Sequence, residues 1–172
     1  TKATSMTRAR HPARDAPGAY AMRTHPEGTR FLSMLPPTSV EVIRGRLERT
    51  MLAADRGELL GWTMELRECD AFAGVLALVR IERTHARAEL AYELTHEHWG
   101  KGLMREAVAR VVEFGFDTMG LHRIEIRTAA DNARSMRVAE ALGFAREGHL
   151  RENERHALGH FEDTVIFGKL AP

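Results

Sequence analysis

Trp99-Gly100-Lys101-Gly102-Leu103-Met104 separates a run that alternates along Ala88, Leu90, Tyr92 and Leu94 from a helical pattern that begins at Leu103. Two glycines one residue apart let the backbone approach a bulky anion without interference from Cβ. A helix that starts there offers unpaired N–H groups and the positive end of its dipole. The stretch reads as a phosphate cradle at a strand-to-helix turn. Glycine also serves such turns for conformational reasons alone. The reading therefore leans on a second segment about thirty residues downstream, Asp131-Asn132-Ala133-Arg134-Ser135, a polar mouth that opens another helix stopped at Gly143, with an apolar strand before it.

Outward from this loop the elements fall into order. Leu103 to Met119 carries Val108, Val111, Val112, Phe114 and Phe116 on a broad apolar face and stops at Gly120, so it must pack on a sheet. Strand Leu121 to Thr128, helix Asn132 to Leu142, strand Phe144 to Arg155, a polar turn through Gly159 and strand Phe161 to Leu170 come next. Upstream, Leu59 to Leu66 and Phe72 to Ile81 are β-type runs joined by the hairpin loop Arg67-Glu68-Cys69-Asp70, and Arg87 to Thr95 is a third, with Glu89, Ala91 and Glu93 on its polar face. The pair Pro36-Pro37 breaks the chain before a capping box of Thr38 and Glu41, which opens a helix to Ala54 with Leu47, Met51 and Leu52 as its stripe. Ala13 to Arg23 reads as a helix and Ser5 to Arg10 as an edge strand. An antiparallel meander, a β-α-β-α crossover and a closing hairpin make a mixed sheet flanked by helices, an α+β class.

The 172 residues form one domain with room for a core. Hydrophobic residues at 44% and charged residues at 28% are ordinary globular proportions. The 25 basic and 24 acidic side chains leave a formal charge of +1, which gives no bulk attraction to nucleic acid or to an anionic membrane, so any anion site is local. Cys69 is the only cysteine and excludes an internal disulfide; no apolar run reaches the length of a membrane span, and the cytoplasm is the expected compartment. His96-Glu97-His98 has no third ligand at partner spacing, so no metal is expected.

Taken together, Ala88-Glu89-Leu90-Ala91-Tyr92, Trp99-Gly100-Lys101-Gly102, Glu106-Ala107, Gly120-Leu121-His122-Arg123-Ile124, Asn132 with Ser135, Ala141-Leu142-Gly143-Phe144, Glu147-Gly148 and Asp163-Thr164-Val165 stand in the order of one family. The chain resembles the GNAT superfamily of acyl-coenzyme A dependent N-acetyltransferases, and within it the RimJ/RimL branch that acetylates protein N-terminal amines. The resemblance is clearest from Ala88 to Leu170. It implies a central, mostly antiparallel sheet of six to seven strands flanked by about four helices, acetyl-coenzyme A as cosubstrate, an amine acceptor, and pairing into a homodimer.

The family's pyrophosphate loop, Arg or Gln, two residues, Gly, one residue, Gly or Ala, aligns with Trp99, Gly102 and Met104. Trp99 lacks the usual polar side chain and Met104 carries a Cβ, so phosphate falls to main-chain N–H groups of Gly100, Lys101, Gly102, Leu103 and Met104, with Lys101 and Arg105 adding charge. By the same resemblance Leu94 and Thr95 end their strand at a bulge that frees main-chain groups for the pantetheine amides. Asn132 holds the pantetheine or diphosphate, or simply caps its helix.

Acetyl transfer to an amine needs a proton acceptor, a donor for the developing oxyanion and a proton for the departing thiolate. Glu154 is the first candidate base, from its match to the branch, with Glu89 second and Glu93 third. By the same resemblance Ser135 donates to the leaving sulfur or orients it, or it is an ordinary helix-start serine; a main-chain N–H near Leu94 to His96 is expected to polarise the thioester carbonyl. Tyr92, Trp62 and Phe72 are core or groove walls. The acceptor groove is expected from Met22 to Pro37 and from Arg155 to His160, its amine a peptide or protein N-terminus or a small molecule. A module that binds acyl-coenzyme A without turnover is the alternative; a mononucleotide phosphotransferase is weakened because the loop lacks a Gly-Lys-Ser/Thr ending.

Overall fold

The computed structural model describes residues 4–8, 11–32 and 34–172. In chain order these form β1 (Thr4–Arg8), α1 (Pro12–Thr24), the single turn α2 (Pro26–Thr29), α3 (Val40–Asp55), β2 (Leu60–Leu66), β3 (Phe72–Glu82), β4 (Arg87–Leu94), α4 (Leu103–Glu113), β5 (Arg123–Ala129), α5 (Ala133–Ala141), β6 (Ala145–Arg155) and β7 (Phe161–Leu170). The seven strands lie in the order β1-β2-β3-β4-β5-β7-β6, every neighbouring pair antiparallel except β4 and β5. The expected edge strand Ser5 to Arg10 is β1; Ala9 and Arg10 lie outside the described residues.

Alternation in β2 explains its two-sided burial. Trp62 and Met64 point to the main core, where Leu76, Leu78, Leu90, Ile124, Ile126 and Phe167 meet Ala107, Val108, Val111 and Val112 of α4. Each fully buried aliphatic side chain there contributes about 1.5–3 kcal/mol, which fixes the start of α4 relative to the sheet. Thr63 and Glu65 point the other way, to α1: Thr63 Oγ1 donates to Asp15 Oδ2 at 2.8 Å, and Arg14 bridges Asp15 and Glu65. On that side Ala16, Ala19 and Ile43 form a second cluster with Tyr20, Leu47 and Phe72.

Several boundaries move. The cap of α3 is Ser39, whose Oγ accepts from the Val42 N–H, rather than Thr38, and its inward stripe is Ile43 with Leu47, while Leu52 faces solvent at 58% exposure. The long helix from Leu103 keeps α-geometry to Glu113 and then widens into a π-turn over Phe114–Thr118. No bulge falls at Leu94 or Thr95: β4 keeps unbroken register on β3 from Glu89 opposite Val79 to Leu94 opposite Gly74, and Thr95 N–H continues to Ala73 O at 2.8 Å. The irregularity sits at the other end of β3, between Val79 and Glu82, where Arg80 adopts φ +48°.

What opens the sheet is the parallel pair. β4 and β5 are in register only at Arg87–Arg123, Ala88–Ile124 and Glu89–Glu125; beyond Glu89, β4 stays with β3 while β5 pairs with β7 as far as Ala129. The β5-facing side of Ala91 to Leu94 therefore has no strand beside it.

Candidate active site in the cleft between β4 and β5

A cavity of about 1350 Å³ fills this opening. Its walls include Leu94, Trp99, Gly100, Lys101, Gly102, Leu103, Met104, Arg105, Asn132, Ser135, Glu89 and Glu154, so the residues marked for donor binding and for catalysis come together, with Thr95 the exception. Thr95 is buried behind the wall with its N–H bonded to Ala73 O, so it has no main-chain donor for a ligand or for a thioester carbonyl.

The mouth is built by α4. Gly100 and Gly102 have φ of +75° and +76°, a left-handed conformation that explains both glycines, and an added Cβ at either would meet no protein atom within 4 Å. The first helical bond runs from Glu106 N–H to Gly102 O, so the N–H groups of Leu103, Met104 and Arg105 have no intrahelical acceptor. The Leu103 and Met104 side chains turn into the core, which leaves their main-chain donors at the cavity and removes the steric objection to Met104. A diphosphate fits this donor set, and the unpaired strand edge above it fits an extended amide chain.

Trp99 turns inward rather than to an anion: its indole N–H donates to Leu94 O at 3.0 Å, which occupies one of the two acceptor positions of that carbonyl. Asn132 is the N-cap of α5, its Oδ1 accepting from Ser135 N–H at 3.1 Å. Ser135 Oγ lies 2.9 Å from the Tyr92 hydroxyl, so Tyr92 is a cavity wall with a polar contact, whereas Trp62 stacks edge-on with Phe114 in the core and Phe72 packs against α1 and α3. Burial pushes the Tyr92 phenol pKa up, with the Ser135 contact opposing.

The carboxylates separate by partner. Glu93 accepts from Arg23 Nε and Nη2, a two-point ion pair that occupies both of its carboxylate oxygens. Glu89 is half-buried, which raises its pKa, while Arg80 at 3.0 Å and Arg127 at 3.8 Å counter the rise and the Glu125 and Glu154 charges add to it. Glu154 is exposed at the cavity with no partner among the described residues. It is aimed by a bulge in β6, where Glu152 takes φ +48° and its N–H donates to Asp163 Oδ1 at 2.8 Å.

The acceptor end differs from expectation. Met22, Phe31, Leu32 and Met34 line the cavity, but Arg155 to His160 does not; the flanking Glu154, Glu162, Asp163 and Thr164 do. Sequence reasoning also missed Arg80, Arg127, Arg134 and Arg137, all cavity residues, because their positions carry no periodic signal. His96 stacks on His25 at 4.1 Å, while His156, His160 and Glu162 bring ligand atoms within 4.8 Å of one another at the β6–β7 turn. His156 Nδ1 already accepts from Leu158 N–H there. Among the described residues no helix is long and apolar enough to cross a membrane.

A family model described as "Acetyltransferase (GNAT) domain" matches residues 8–145. An uncharacterized N-acetyltransferase of Bacillus licheniformis is 31% identical over 145 residues, covering 84% of this chain and 81% of its own. A spermidine N(1)-acetyltransferase of Vibrio cholerae is 33% identical over 91 residues, 53% of this chain and 52% of its own. The crystal structure of a Vibrio cholerae spermidine N-acetyltransferase in complex with CoA and spermine superposes with a TM-score of 0.84 over 99% of this chain and 96% of that one; at 20% identity this is a likeness of fold.

Proposed function

The chain belongs to the GNAT family of acetyl-coenzyme A dependent N-acetyltransferases, and from that premise we propose that it acetylates the α-amine of a peptide or protein N-terminus, as in the RimJ/RimL branch, by direct attack with donor and acceptor bound together. The observation that carries the reading is the parting of β4 from β5 beside the uncapped donors of α4, which suits a pantetheine arm entering the sheet with its diphosphate on the helix start. Apolar Met22, Phe31, Leu32 and Met34 line the same cavity as Glu89 and Glu154, and a peptide N-terminus presents an ammonium and a side chain together.

Glu154, unpartnered, takes the proton that the amine loses as its nitrogen bonds the acetyl carbon. A free α-amine has a reference pKa near 8, so this base has little work to do. The carbon–sulfur bond breaks with Ser135 Oγ donating to the departing thiolate. The coenzyme supplies the activated acetyl group; the chain supplies orientation, a proton acceptor and a hydrogen-bond donor.

A second reading, a small polyamine acceptor, is favoured by six carboxylates on one cavity, Glu89, Glu93, Glu140, Glu154, Glu162 and Asp163, and by the partial likeness to spermidine acetyltransferases. Thiol release from acetyl-coenzyme A with a panel of free-N-terminus peptides, spermidine and amino acids separates them. Peptide turnover with little spermidine turnover is expected; the reverse favours the polyamine, and coenzyme binding with no turnover across the panel favours a non-catalytic sensing module. A cytoplasmic location goes with either acceptor.

A further inference from the structure

The position that the family fills with arginine or glutamine holds Trp99, and the indole has a different use. Its N–H is tied to Leu94 O at 3.0 Å, His96 packs edge-on against it at 4.7 Å, and the guanidinium of Arg134 lies over its ring, 4.5 Å from the centroid. Arginine over indole is a favourable cation–π pair, and the stack fixes the plane of the guanidinium while leaving its edge donors unengaged. Arg134 faces the cavity and has no carboxylate partner among the described residues.

Its location adds an independent argument. Arg134 stands in the first turn of α5, where the helix dipole is positive and acidic residues are favoured, yet that turn holds none. Arg137, one turn on, lines the same cavity, as do Lys101 and Arg105 from α4. Lys101, Arg105, Arg134 and Arg137 thus gather around one mouth, none of them with an ion-pair partner among the described residues. Cations set against a positive helix end call for an anion from outside.

We propose that Arg134, held in place by Trp99, is a phosphate-binding residue of the donor site, and that with Arg137 it makes the enzyme select nucleotide-bearing coenzyme A thioesters over the same thioester on a bare pantetheine arm. The side chain absent from position 99 is supplied from the neighbouring helix, edge-on to a phosphate in the bidentate manner of guanidinium. This rests on the reading of the cleft as the donor site.

The test compares dissociation constants of coenzyme A and of pantetheine for the wild-type chain, Arg134→Ala, Trp99→Leu and the double variant, with thermal melts to verify folding. Arg134→Ala should weaken coenzyme A about 10- to 100-fold, the range of a charge-assisted hydrogen bond, and leave pantetheine within about twofold. Trp99→Leu should weaken coenzyme A less, and the double variant should match Arg134→Ala, since the indole acts through the arginine. Equal weakening of both ligands by Arg134→Ala, or no weakening of either, overturns the proposal. A folded wild-type chain that binds no coenzyme A overturns the donor reading itself, and this inference with it.

Discussion

The Tyr92 hydroxyl of β4 and Ser135 Oγ of α5 lie 2.9 Å apart across the cavity, with the Ser135 carbonyl 3.3 Å from the same phenol. β4, which parts from β5, is thus tied to the helix that follows β5 by a pair of hydroxyls at the place proposed for the donor's sulfur. Loss of the Ser135 hydroxyl removes a hydrogen bond that strengthens as the thiolate forms. Ser135→Ala should lower kcat about 10- to 100-fold with the KM for acetyl-coenzyme A nearly unchanged. Tyr92→Phe should lower kcat in the same sense, and the double variant should lose less than the product of the two. Equal losses in kcat and in coenzyme affinity would mark Ser135 as a structural helix-start residue.

At Gly102, φ is +76°, and an added side chain projects into the open mouth rather than into protein. Gly102→Ala should cost about 1 kcal/mol of stability through backbone strain. Gly102→Asp should add to this a collapse of coenzyme A affinity, because it sets a negative charge at the helix start. Calorimetric titration of both variants checks the difference; equal affinities for the two would remove this loop as the phosphate site.

Burial sets Glu89 above the ordinary carboxylate range, whereas Glu154 stands exposed. If Glu154 is the base, Glu154→Gln should cut kcat/KM about 10²-fold or more at neutral pH. Any residual activity that depends on Glu89 should fall on acidification at a pH above the ordinary carboxylate range, because burial raises the pKa of that group. A pH–rate profile of unaltered shape and height removes Glu154 from the role.

Asp163 ties the β6 bulge by accepting from Glu152 N–H at 2.8 Å and from His149 Nε2 at 2.6 Å, and both contacts hold its carboxyl below the usual range. A lowered folded-state pKa means that the ionised form stabilises the fold above the unfolded value, near 3.9, and that the contribution fades as pH falls through the folded value. The melting temperature of Asp163→Asn should therefore lie below that of the wild type at neutral pH, with the two curves converging in acid. The variant should also lose turnover, because the bulge aims Glu154. A melting difference that is constant with pH would place the effect elsewhere.

Much of this molecule was legible in its residues for definable reasons. The alternation of Ala88 to Leu94 and the apolar face from Leu103 are strong periodic signals, and a positive-φ loop between them announces itself through Gly100 and Gly102. Short-range competition was less legible: Thr38 and Ser39 are both good caps, and only the path of the chain after Pro36-Pro37 makes Ser39 the one that bonds Val42. Through-space relationships left no trace. The stack of Arg134 on Trp99, the union of Tyr92 with Ser135, and the divergence of β4 from β5 without a bulge all depend on how distant segments meet. Thr95 is the converse case, a residue next to the loop in sequence that the ladder to Ala73 turns away from it.

The central claim is that donors at the start of α4 hold a diphosphate and so direct a thioester into the gap between β4 and β5. A crystal structure of the chain grown with excess coenzyme A tests it most directly. The diphosphate is expected within hydrogen-bonding distance of the Leu103, Met104 and Arg105 N–H groups and the pantetheine arm beside Ala91 to Leu94. Coenzyme bound elsewhere, or a gap left empty at saturating ligand, would contradict it.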